Sequence, residues 1–283
     1  MTVTKSQKEA RPQRDPRSGR ARLLRLLVLT DASKVGLHRR ALRQRTWLIL
    51  AALLVWELLS RTVIDGQLVS RPSAVGVRII AQFGDATVVS ALAHTGRSIL
   101  LAMTIGSLIG IALGTAVGLS RLMRDAFMTP LLFLLSIPKV IFLPLFVLVF
   151  GIGPESVVAF ASFEACIYVA VSVGDGMALV QARHLRVARA FRASIPQRLI
   201  TVVFPSALPG IFTGLWFGIK HAFVGVLTAE IWASTDGIGG LTRTFAENLQ
   251  TSHVLALIIT VSICAILLGS LWNTVESRLT KWR

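Results

Sequence analysis

The sequence predicts an all-α membrane protein with about six transmembrane helices and both termini in the cytosol. Three observations predict it. Several windows of 18 or more residues carry no charge or almost none, which is the length a helix needs to cross a hydrocarbon core of about 30 Å. These runs are too long and too evenly apolar for barrel strands, and lipid admits no third kind of spanning backbone. The positive charge is also sorted. Thirteen of the 30 Lys and Arg precede Thr46, and with the N-terminus inside, 23 fall on inner segments against five on outer ones.

Composition alone would not decide this. The chain has 283 residues, is 53% apolar and has a mean hydropathy of +0.68, values that some soluble domains approach. A net charge of +16 suggests nucleic acid, but the charge sits in an N-terminal arm and in short loops between spans. The partner it implies is therefore the bilayer, with no nucleic acid.

Taken in order, residues 1–45 form a basic, Arg-rich arm, expected to be disordered or to lie along the inner membrane surface. No cleavage site follows the first span, so no processing is expected. That span lies near Trp47–Ile64 and contains Glu57. Asp65–Gly96 is the first external segment, with an amphipathic piece at Val75–Phe83. The second span, near Ser98–Ser120, repeats glycine every four residues at Gly106, Gly110, Gly114 and Gly118. In water such a face would cost about 1 kcal/mol per glycine against alanine. In lipid it lets a second helix approach closely, so it reads as a packing seam.

Arg121 and Arg124 mark a short inner loop. The third span, near Phe127–Phe150, contains Pro130, Pro138 and Pro144, which bend or interrupt a helix by removing rungs of its hydrogen-bond ladder. The fourth lies near Val157–Val173. Gly174–Ser206 is a long inner loop holding Arg183, Arg186, Arg189, Arg192 and Arg198. The fifth span is near Ala207–Ile231. An external stretch, Ala233–Ser252, carries the turn Asp236–Gly240. The sixth span is near Val254–Trp272, ahead of a basic tail.

Chemical motifs are sparse. There is no GxxxxGK[ST] phosphate loop, no HExxH, no GxSxG and no CxxC. An enzyme reading has no anchor, and no metal site or cofactor is expected on this chain. Cys166 and Cys264 sit in apolar runs and read as small buried hydrophobes. The ionisable residues at span depth are the remaining candidates, since each costs about 2.5–3.5 kcal/mol to insert and so faces a cavity or a partner. Lys139, Glu164 and Glu230 are candidates for a translocation pathway, and Lys220 lies at similar depth.

The inner loop then becomes specific. Its spacing resembles the EAA loop of ABC importer permeases, E-A-A-x3-G-x9-I-x-L-P. Val187 and Ala188 fall on the alanines, Arg192 on the glycine, and Val202–Pro205 on I-x-L-P, with Ala193 and Ser194 following the glycine position. Gly174-Asp175-Gly176 looks like the glycine that precedes the loop, and Pro205 to Gly214 resembles the entry into the fifth span. Ile137 to Phe146, Phe150 to Glu155, Ala229-Glu230 and Asp236 to Leu241 look like the nitrate, sulfonate and taurine type of permease. The likeness covers roughly residues 70–275.

The resemblance implies a type I ABC importer permease fold in a bacterial cytoplasmic (inner) membrane. Residues 46–97 would be the first transmembrane helix and external segment. Residues 98–276 would be the permease core, with a cytosolic coupling loop at 177–206, and 277–283 a cytosolic tail. Implied partners are a second permease copy (identical or related), two cytosolic ATPase subunits that hold ATP and Mg, and an extracytoplasmic solute-binding protein. The solute would be a sulfonate, nitrate or taurine-like anion, or a vitamin precursor. The chain departs from the pattern at Arg186, where an acid is usual, and at Arg192. An arginine at that glycine position predicts a turn that avoids positive φ, or an altered docking geometry. Two other readings compete. A secondary transporter would need inverted repeats and carboxylates in paired broken helices, which the sequence does not display. A non-transporting scaffold would make the basic arm the working part.

Overall fold

The computed structural model describes residues 43–62, 69–178 and 182–279. Two units separate at Thr62. The first contributes one helix to the described residues, α1 (residues 43–62). It is apolar through its middle, but Arg43 and Arg45 open it and an ion pair of 2.7 Å between Glu57 and Arg61 closes it.

The second unit is helical throughout its described residues. Four helical runs there are long and apolar enough to span a bilayer, and a bent pair makes a fifth. The first expected span, 47–64, falls on the more charged α1, and residues 63 and 64 lie outside the described residues. The basic arm also lies outside them as far as residue 42.

Helix α2 (Pro72–Ala81) starts on a proline, which needs no backbone partner in a first turn. A 3₁₀ turn, Gln82–Gly84, follows it. Both rest on the last long helix through Ser70 to Thr251, 2.6 Å, and through the buried Gln82 amide donating to Thr260. Helix α3 (Ala86–Leu119) begins 12 residues earlier than the apolar run at Ser98 suggested. Asp85 caps it, accepting from the Thr87 N–H at 2.8 Å, and a capped helix continues past the apolar segment into the aqueous layer. This hydrogen bond holds the Asp85 carboxyl below its ordinary range.

Ser120 ends α3 and caps α4 (Arg121–Ser136), which contains Pro130 without breaking. The break comes at Ile137 and Pro138. A 3₁₀ turn, Lys139–Phe142, leads into α5 (Leu143–Phe150), and the chain turns by 102° between α4 and this segment. Gly151 and Gly153 make the next turn at positive φ, and the Gly153 N–H donates to the Ala233 carbonyl at 2.9 Å. Helix α6 (Pro154–Ala178) is the most buried of the spans, packed between α3 and the later helix α9 (Phe204–Ala233).

The expected loop Gly174–Ser206 is largely helical. Helix α6 runs on through Ala178. Helices α7 (Ala182–Ala190) and α8 (Ile195–Arg198) and a π turn (Leu199–Val203) then lead into α9. The widened turn precedes Pro205, whose ring and missing N–H disturb the ladder. The external stretch also contains a helix, α10 (Gly237–Glu247), before α11 (Thr251–Leu279). Cys166 is half-buried, but Cys264 is exposed on α11, contrary to the reading as a buried hydrophobe, because that helix has few neighbours on this side.

The glycines of α3 set the closest packing. A Cβ on Gly106 would stand 2.6 Å from the Ser162 carbonyl oxygen, one on Gly110 2.6 Å from Val169 Cβ, and one on Gly114 2.6 Å from the Ala170 oxygen; one on Gly118 would collide with Met177. Helix α9 carries a second stripe, Gly210, Gly214 and Gly218, also packed on α6, where Val169 and Val173 meet glycines of both stripes. Three backbones are thereby held closer than any side chain would allow.

Candidate functional site

The loop between α6 and α9 is built on a left-handed arginine. Arg192 has φ 53°. The Ala193 N–H donates to the Ala188 carbonyl at 3.1 Å, and the Arg192 N–H to the Arg189 carbonyl at 2.9 Å. These two bonds with a left-handed residue between them are a Schellman ending, in which glycine is usual. Of the two expectations for this position, a turn that avoids positive φ is therefore not the one found. Ser194 restarts the chain with a capping box to Gln197, so α7 and α8 are joined by one fixed turn.

Val187, Phe191 and Ile195 are exposed apolar residues, and Arg186, Arg189 and Arg192 are exposed beside them. A cleft of about 420 Å³ lies between α7 and the following turn, lined by His184, Val187, Ala188, Thr201, Val202 and Ser206. Exposed hydrophobes ringed by arginines are the composition of a protein-docking surface.

Two expected loop residues sit elsewhere. Gly176 is inside α6, where its backbone meets Gly210, and Pro205 is in the first turn of α9. Both are part of the spans the loop joins. Arg124 ties α4 to the same end of α6, donating to Asp175 at 2.9 Å and to the Gly174 carbonyl at 3.3 Å.

A second cluster lies at mid-span. Lys139 opens the turn after the proline break and is 6% exposed. Its Nζ donates one long hydrogen bond, 3.4 Å, to the Leu134 carbonyl, and sits 5.0 Å from the ring centroid of Tyr168 on α6. The Tyr168 ring stacks on His221 of α9 at 3.3 Å, and Phe217 stacks on its other neighbour position at 6.3 Å. His221 Nδ1 is 3.8 Å from Glu164 Oε1, one turn before Tyr168. Gly225 makes room for that carboxylate, since a Cβ there would lie 2.7 Å from Glu164 Oε2. No ion pair among the described residues includes Lys139. Lys220 points away, over the Trp216 ring at 4.5 Å.

Glu230 is placed differently from the other two span-depth candidates. It is 2% exposed. Thr95 of α3 donates to both its oxygens at 3.0 and 2.9 Å, and the Gly239 N–H donates at 2.9 Å. Thr95 accepts in turn from the Ile238 N–H at 2.8 Å. The carboxylate thus holds the first turn of α10 against α3, at a helix N-terminus that favours negative charge. Gly237, at φ 84°, has no room for a side chain beside it. Glu230 thus acts as a latch that ties α9 and α10 to α3.

A wider groove of about 820 Å³ runs beside α3, α5 and α6, lined by Leu101, Ile105, Phe146 and Phe163 and also by His94, Arg97 and Glu155. Sequence reading missed Tyr168, Phe217 and the α9 glycine stripe. The stripe had a signal, since Gly210, Gly214 and Gly218 repeat every four residues. So did Tyr168, the one tyrosine in the chain, four residues after Glu164.

Comparison with known proteins covers most of this region. The model of the family described as binding-protein-dependent transport system inner membrane component matches residues 106–281. The taurine transport system permease protein TauC of Escherichia coli (strain K12) is 36% identical over 201 residues, 71% of this chain and 73% of that protein. The putative aliphatic sulfonates transport permease protein SsuC of Bacillus subtilis (strain 168) is 29% identical over 65% of this chain and 66% of its own. A solved structure of the MetNI methionine ABC transporter in an inward-facing conformation shares the fold, with a TM-score of 0.58 at 19% identity over 68% of this chain and 94% of that one.

Proposed function

The chain belongs to the family of binding-protein-dependent transport system inner membrane components, and from that premise we propose that the solute it passes is a small organic sulfonate or a similar anion. It is the transmembrane permease subunit of an ABC importer and a multi-pass inner-membrane protein. Its fold is the type I importer permease fold that the resemblance implied. The observation that carries the substrate reading is Lys139, a nearly buried ammonium at span depth without a carboxylate partner among the described residues. Such a charge is stable only if an anion or water answers it. The relatives named for taurine and aliphatic sulfonates support the same class.

In this reading two permease copies enclose the pathway. Two ATPase subunits bind ATP and Mg on the cytosolic side, and this chain holds no nucleotide or cofactor. A solute-binding protein delivers from outside. The docking surface for the motor is the α7–α8 turn, whose Arg186, Arg189 and Arg192 favour an acidic groove. Close glycine contacts join α6 to α9 where they leave for the turn, and through them the motor's closure becomes a shift between inward-open and outward-open packing.

ATP-dependent uptake of sulfonates, nitrate and vitamin precursors into proteoliposomes holding the whole complex tests the reading. Uptake of a sulfonate should exceed the rest. Ala188→Glu, placed in the loop cleft, should weaken ATPase binding and uncouple ATP hydrolysis from uptake. Normal assembly and transport by that variant would refute the docking assignment.

A further inference from the structure

We propose that one face of α9, running through Thr213, Phe217, Lys220, Val224 and Thr228, is a wall of the water-filled pathway, and that Lys220 is a mid-span cation meeting the same residue of the second copy across it. This face rests on the permease reading and deepens it by placing the pathway on one side of one helix.

The five residues recur at steps of four, three, four and four, so they share one side of the helix. Thr213, Phe217, Lys220 and Val224 are exposed, and Thr228 is half-buried. Gly214, Gly218 and Gly225, on another side, meet α6. Lys220 is at mid-span. Its neighbour His221 stacks on Tyr168, near the middle of α6, and about 20 Å of α9 lies on either side of it. The ammonium reaches back only over Trp216 and Phe217, at 4.5 and 5.5 Å from their ring centroids. In a core of about 30 Å the headgroups are beyond that reach, so the charge does not snorkel out. No carboxylate among the described residues pairs with it. The rings offset part of its cost. An exposed, unpaired charge at this depth faces water and not acyl chains.

Helix α11 provides the contrast. Ile263, Ile266, Leu267 and Leu271 are exposed on it, and no charged residue occurs between His253 and Glu276. That side suits lipid. Trp216 of α9 packs on Gly269 and stacks on Trp272 of α11, so the two helices present these different sides at a similar depth. In a two-fold dimer, a pathway along the axis is walled by the same face of each copy, and the wall is complete only when both copies are present. Two ammonium groups facing each other repel, which keeps this stretch hydrated.

The test uses the whole permease–ATPase complex in proteoliposomes, in a background carrying Cys166→Ala and Cys264→Ser. Lys220→Cys, Val224→Cys and Leu267→Cys are made singly and treated on both sides of the membrane with a charged, water-soluble methanethiosulfonate. A thiol in hydrocarbon stays protonated and unreactive, so Lys220→Cys and Val224→Cys should label at least about tenfold faster than Leu267→Cys. A short bis-thiosulfonate should join two copies through Val224→Cys and not through Leu267→Cys, read as a doubled mass on a denaturing gel. Val224→Cys keeps the lysine, so misfolding on loss of Lys220 does not decide the result. Equal labelling at positions 224 and 267 would overturn the water-filled wall. Fast labelling at 224 without cross-linking would overturn the facing of the two copies. ATP-dependent uptake of a sulfonate by the same preparation before labelling, with the binding protein present, tests the permease reading separately: normal uptake with equal labelling sinks this inference alone.

Discussion

Gly210 of α9 meets Gly176 of α6 backbone to backbone: a Cβ on Gly210 would stand 2.6 Å from the Gly176 Cα and 3.1 Å from the Ser172 oxygen. The contact lies where both spans leave for the α7–α8 turn. Neither neighbour is a flexible side chain, so an added methyl must part the helices. Gly210→Ala should cost about 1–3 kcal/mol, as overpacking of a tight core does. Thermal unfolding of the purified subunit in detergent measures this. In the proposed mechanism this contact passes the turn's motion into the spans, so transport should fall more than ATP hydrolysis.

Two glycines on α3 give a matched comparison. A Cβ on Gly110 would crowd Val169 Cβ at 2.6 Å, whereas nothing lies within 4 Å of a Cβ on Gly96. Gly96→Ala should be neutral or stabilising by up to about 1 kcal/mol, because alanine favours the helix. Gly110→Ala should lose about 1–3 kcal/mol. Equal effects in a denaturation series would show that α3 does not pack on α6 through this face.

Arg192 holds a left-handed conformation that costs a residue with a Cβ about 1 kcal/mol or more. Arg192→Gly removes that cost and should slow hydrogen exchange of the Ala193 amide, which closes the turn on Ala188. Arg192→Ala removes the same charge without relieving the backbone and serves as the control. If the two variants exchange alike, the turn is not left-handed. Both should bind the ATPase more weakly than wild type if the guanidinium contributes to docking.

The Glu230 latch predicts a strongly coupled pair. Glu230→Ala leaves the Gly239 N–H and the Thr95 hydroxyl without their acceptor, and each such loss costs about 1–3 kcal/mol. Thr95→Val removes the other half and leaves the Ile238 N–H unanswered. The double variant should cost less than the sum of the singles, read as melting temperatures in a double-mutant cycle. Additive losses would place the two residues in separate interactions.

The sequence by itself determined the spans, the proline break, the seam on α3 and the position of the loop. Each is a local property: an apolar run, a missing backbone donor, a four-residue glycine repeat, a charged island between apolar stretches. Element ends were less legible, since a capped helix such as α3 extends past its apolar segment, and α6 carries Gly176 within a span where the sequence suggested loop. Tertiary structure alone decided the partners of the buried charges. Glu230 is separated from Thr95 by 135 residues, so nothing near it in sequence marks the bond between them. Lys139, Tyr168 and His221 come from three different elements and form one cluster only after α4 and α5 fold back beside α6 and α9. The left-handed turn at Arg192 is likewise imposed from outside, because the surrounding Schellman bonds and the Ser194 cap together offset what the arginine's own backbone preference resists.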